Sequence, residues 1–147
     1  MNDVQKKMAD EFTRTEITVT GDSGETVFTL SKMPATKGWD TLEEIREATG
    51  GVMNVEHSGG ANAAIAALVA SMPKPFVRRL RSTMFEHVTF TNRVMQTPTV
   101  LAGNEETAFD MIGAKPVEIY ELFLRILAVN FTDSFVAVKE RISTLLK

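Results

Sequence analysis

The chain contains no cysteine, and that absence removes disulfides, thiolate nucleophiles and sulfur-ligated zinc together. A chain without disulfides suits a reducing compartment. Histidine is scarce as well: His57 and His87 stand thirty positions apart, whereas a metal site brings ligands at helical or knuckle spacing. No metal and no cofactor is therefore expected. The longest apolar run, 63–72, is half of the roughly 20 residues that span a bilayer. Asp3, Asp10 and Glu11 stand where a signal peptide would be basic and then apolar. These absences argue against membrane insertion and export.

What is present is an ordinary globular composition. Of 147 residues, 44% are hydrophobic and 24% charged, enough for one core and too few for two. The reading is one domain over 1–147, with 1–12 a short helix or arm on which Val4, Met8 and Phe12 share a face. The net charge is −3, and its distribution is uneven. Segment 73–101 carries five Lys or Arg against one Glu, for +4, between flanks of −5 and −2. Arg78, Arg79 and Arg81 lie among Phe76 and Leu80, the pattern of an amphipathic helix with a basic wet side.

Along the chain, 15–20 and 26–31 are β-branched or aromatic runs around Gly21-Asp22-Ser23-Gly24, a β-hairpin signature. Trp39, Leu42, Ile45 and Ala48 recur every three residues as the apolar face of a helix, with Thr36 a candidate cap and Gly50-Gly51 the stop. Segment 52–60 has no clear period, and the alanine-rich 61–72 is helical until Pro73. Phe76, Leu80 and Met84 mark another helix, and 87–91 a candidate third strand. Asn104-Glu105-Glu106 opens a short helix with Ala108, Met111 and Ile112 inward and Gly113 at its end. From Pro116 an apolar stripe through Ile119, Leu122, Phe123, Ile126, Leu127 and Phe131 continues to Phe135, Val138, Ile142 and Leu145, with a bend expected near 130–133. The fold class is α+β: a small antiparallel sheet packed on several helices, with a long C-terminal helix.

Signatures of catalysis are missing. Gly21-Asp22-Ser23-Gly24 looks like a serine-protease nucleophile region, but both histidines follow it and turn chemistry accounts for all four residues. The glycine pairs 50–51 and 59–60 lack the Gly-Lys-Ser/Thr ending of a phosphate loop. Asn130-Phe131-Thr132 has the form of a glycosylation sequon inside the apolar stripe. Nucleic-acid binding is not expected of an acidic chain with no stacking platform beside its basic segment. No catalytic residue is assigned, and a small enzyme stays in view only because sites assemble from residues distant in sequence.

The segment 28–38, Phe-Thr-Leu-Ser-Lys-Met-Pro-Ala-Thr-Lys-Gly, resembles the front of tail assembly chaperones of long-tailed bacteriophages, where a strand ends in a Lys-hydrophobic-Pro-Ala turn and enters an amphipathic helix. The stretch 120–135, with Asn130-Phe131 and Phe135, is similar to their closing helix. The resemblance covers about a quarter of the chain and leaves 50–116 unaligned. It implies a non-catalytic protein of the host cytoplasm that coats the tape measure protein during tail assembly and is absent from the finished particle. It also leaves room for a homo-oligomer. Eight Met and nine Phe supply adaptable apolar surface for such a partner. Arg78, Arg79 and Arg81 are the candidate partner-binding residues. The alternative is a structural tail or baseplate component retained in the virion.

Overall fold

A computed structural model describes the backbone of residues 14–50 and 61–145, and the side chains of 15–50 and 65–131. The N-terminal arm, the segment 52–60 and the side chains of Phe135, Val138, Ile142 and Leu145 lie outside the described residues. The elements run β1 (Arg14–Gly21), β2 (Gly24–Ser31), α1 (Ala35–Ala48), α2 (Ala61–Ala70), α3 (Lys74–Phe85), β3 (Val88–Asn92), β4 (Thr99–Val100), α4 (Glu105–Phe109), a 3-10 turn (Asp110–Ile112) and α5 (Pro116–Leu145). This is the expected α+β class. The described residues fall into two compact units, one up to Lys32 with Arg81–Phe123, the other Met33–Leu80 with the chain from Leu124 onward.

The first unit holds the sheet, an antiparallel meander in the order β1-β2-β3-β4. The hairpin turns on Asp22 and Ser23, with Gly21 paired to Gly24, and β3 joins it as the third strand through Phe28↔Phe90. Side-chain alternation puts Val19, Thr26, Phe28, Leu30, Val88 and Phe90 on the buried face. Phe109 of α4 covers that face, stacked on Phe28 at 5.2 Å between ring centres and tilted against Phe85 at 6.4 Å. Buried Thr26 ties the sheet to α4 by donating its hydroxyl to the Ala108 carbonyl at 2.7 Å. The hairpin tip is pinned too: Ser23 N–H donates to the Ile112 carbonyl at 2.8 Å.

In the second unit the buried residues of α1 are Thr41 and Ile45. Trp39, expected on that face, is instead 63% exposed. Thr36 does not cap the helix either; Pro34 occupies the N-cap without a side-chain cap bond, and Gly38 N–H closes the first turn on its carbonyl at 2.8 Å. The helix stops at Thr49, whose hydroxyl donates to the Ile45 carbonyl at 2.9 Å, before Gly50 at φ 68°. Ile65, Val69 and Met72 are buried on and just after α2, and Phe76 and Leu80 on α3. The helix α5 continues without interruption through 130–133. It buries Leu122, Phe123, Ile126, Leu127 and Phe131, as the stripe predicts.

Candidate partner-binding surfaces

Helix α3 begins directly after Pro73, with Pro75 in its first turn where a missing N–H costs nothing. Phe76, Leu80 and Met84, four apart, form its buried line. Arg78, Arg79 and Arg81 are all exposed, as is Lys74. At about 100° per residue, Lys74, Arg78 and Arg81 fall in one stripe about 60° wide. Arg79 sits about 100° to one side of Arg78, with its guanidinium carbon 5.8 Å from the centre of the Phe76 ring. The three arginines of the sequence prediction therefore divide into two on the stripe and one against an aromatic face. Lys74, the start of the basic segment, belongs with the two.

Helix α1 exposes the opposite charge. Asp40, Glu44 and Glu47 are exposed and Glu43 half-buried, all within an arc of about 100° away from Thr41 and Ile45. Trp39 flanks this acidic face. A tryptophan with more than half its surface in water is unusual in a settled core helix and typical of a contact anchor.

In the first unit an open cleft of about 510 Å³ lies beside the hairpin tip. Val27 and Thr91, both half-buried, line it from the sheet face opposite Phe28 and Phe90, and Val94 and Met111 from the flanking loop and 3-10 turn. Met111 was expected inside, but it is 46% exposed and Val94 49%. The 3-10 turn rotates Met111 out of the phase that an α-helix continued from Ala108 would have given it. Phe109 takes the core position in its place. Asn92 holds the loop that carries Val94: its side-chain carbonyl accepts from the N–H groups of Val94 at 2.9 Å and Met95 at 2.8 Å.

The two segments that carry the resemblance meet within the second unit. The Met33 N–H, in the Lys32-Met33-Pro34-Ala35 turn, donates to the Asn130 side-chain oxygen at 2.8 Å. The Asn130 amide nitrogen in turn donates to the Ile126 carbonyl one helical turn earlier at 2.9 Å, which fixes the amide's orientation. Phe131 beside it is buried. Asn130 is thus a clasp between the turn and the closing helix.

Among the described residues no group of three or more His, Asp or Glu could hold a metal ion; His57 lies outside them. No helix among the described residues is long and apolar enough to cross a membrane. What these surfaces offer is contact chemistry: a basic helix face, an acidic helix face with a tryptophan, and a cleft of mixed lining in which Val27, Val94, Met111 and Ile112 stand among Glu25, Asn92 and Arg93. The family model described as phage tail assembly chaperone protein, TAC, matches residues 24–143. No curated protein and no solved structure matches the chain.

Proposed function

This chain belongs to the phage tail assembly chaperone family, and from that premise we propose that it binds the tape measure protein while the tail is built. The family's role is in assembly rather than catalysis, and it is exercised in the host cell. In our reading the chain acts stoichiometrically in the host cytoplasm, keeps its partner soluble and is left out of the finished particle.

The observation that carries this reading is the cleft beside the hairpin tip, with Val94 and Met111 exposed at its rim. A long helical partner presents many similar apolar stretches, and each is an aggregation hazard while uncovered. A shallow cleft edged by a flexible methionine accepts such stretches without demanding one shape. Arg78, Arg79 and Arg81 would add long-range attraction to acidic parts of the partner, which acts on the rate of association more than on its reversal. Reversing all three charges should then slow association and leave dissociation nearly unchanged.

Mass spectrometry of purified mature particles separates this reading from the alternative. The chaperone reading expects the chain to be missing. A fixed copy number per particle would make it a structural tail or baseplate component instead. Met111→Asp should reduce co-purification with the tape measure protein while leaving the far-ultraviolet circular dichroism unchanged, because residue 111 is already half in water.

A further inference from the structure

The cleft beside the hairpin tip leaves Val94 and Met111 in water at its rim, and every residue that lines it belongs to the first unit, as does β1. The segment 1–13, which lies outside the described residues, runs directly into β1, the strand at one edge of the same sheet. Its sequence carries one apolar line, Val4, Met8 and Phe12 at i, i+4 and i+8, which a helix would gather into a stripe about 80° wide. From this match, and from the reach set out below, we propose that segment 1–13 docks its apolar line in the cleft of its own chain while no partner is bound, and that a tape measure segment displaces it.

The chain is long enough. Val27 in the cleft pairs with Thr18, four strand steps from Arg14, or about 14 Å. Val4 stands ten positions before Arg14, a stretch that spans about 15 Å as a helix and about 33 Å extended. A tethered segment meets its site at an effective concentration in the millimolar range, so a contact too weak to hold a free peptide still closes. Charge fits the same pairing: Lys7 and Glu11 lie one helical turn apart on one side of the apolar line, and the cleft sets Glu25 and Arg93, both exposed, among its apolar residues. Lys7 facing Glu25 and Glu11 facing Arg93 select one orientation of the segment. An apolar rim left in water is an aggregation hazard for the chaperone itself, and a tethered cover removes it until the partner arrives. The inference rests on the cleft accepting apolar stretches, as under the proposed function, and adds a competitor for that surface.

The test uses the full chain, whose lack of cysteine lets one nitroxide be placed on Gln5→Cys, beside the apolar line and outside it. The label should broaden the amide signals of Val94 and Met111 in the nuclear magnetic resonance spectrum, and V4D/M8D/F12D should restore them. Met111→Asp, which acts from the side of the cleft, should also restore the Val94 signal, and it serves where the triple variant loses its circular dichroism. A mixture of labelled chains with isotope-enriched unlabelled chains should show no broadening, since the contact lies within one chain. V4D/M8D/F12D should also bind the tape measure protein more tightly, about tenfold if the segment covers the cleft nine-tenths of the time. Val94 and Met111 signals that ignore the label overturn the proposal, as does broadening that survives both variants or passes between chains. Tape measure binding that weakens or stays unchanged in the triple variant overturns it too. If the contact forms within the chain and the tape measure protein binds neither form, this inference stands and the reading under the proposed function fails.

Discussion

At the scale of single residues, the tightest constraint sits at the hairpin tip. A Cβ at Gly21 would collide with the Ile112 carbonyl and stand 2.8 Å from the Gly113 carbonyl carbon, both backbone atoms that cannot swing aside. Gly21→Ala should therefore cost on the order of 1–3 kcal/mol or more, as overpacking does, measured by urea unfolding; a loss under about 0.5 kcal/mol, the size of an ordinary surface change, would mean that the tip does not press on that turn. Turn chemistry alone suggested glycine here for backbone freedom, but the positive φ belongs to Gly24 and Gly113. Gly21 is glycine for space. Thr26 makes a second case. Thr26→Val keeps the shape, yet it removes the hydroxyl donor to the Ala108 carbonyl and one of two acceptors of the Asn92 amide, at 3.3 Å, leaving the Thr107 carbonyl at 2.9 Å. A loss of about 1–3 kcal/mol is expected. Asn130→Ala removes the clasp on the Met33 N–H and should lower the melting temperature, and Asn130→Asp, which keeps the accepting oxygen but sets a carboxylate oxygen against the Ile126 carbonyl in place of the amide N–H, should lower it too.

At the scale of elements, the helices and the three longer strands were legible in the sequence, whereas the two-residue β4, the 3-10 turn and the phase of Trp39 were not. The hairpin, β3, α3 and α5 follow from β-branched and aromatic runs or from apolar residues three and four apart, and α2 from its alanine content before Pro73. Strand β4 has two residues, and its pairing of Val100 with Thr89 and of Thr99 with Phe90 defines it. Trp39 was misread for a geometric reason: strict steps of three precess by about 60° each on an α-helix, so Trp39 ends about 120° from Ile45. The candidate surfaces divide in the same way. Exposure of Arg78, Arg79 and Arg81 follows from their helix alone, whereas the cleft needs β2, β3 and the 3-10 turn brought together across more than eighty positions. Helix α5 yields the prediction with the largest effect. Leu122, Phe123, Ile126 and Phe131 are each 1–2% exposed, and truncation of any one to Ala should cost about 2–5 kcal/mol. A midpoint in urea within error of the wild type would place that side chain outside the core.

At the scale of the whole molecule, the chain is read as one domain. Each compact unit is built from two separate stretches of the chain, and from this we propose that the two unfold together. Unfolding followed by circular dichroism and by tryptophan emission should give one coincident transition; two separated midpoints would make the units independent. Function is a property of this same scale, because family membership over 24–143 speaks for the chain and not for any one residue. Its central claim, that the chain keeps a tape measure protein soluble, is tested most directly by the soluble yield of that protein expressed with and without this chain. The account predicts a clear rise in yield with the chain present and a complex that co-purifies; an unchanged yield, with the tape measure protein equally soluble or equally aggregated in both, would contradict it.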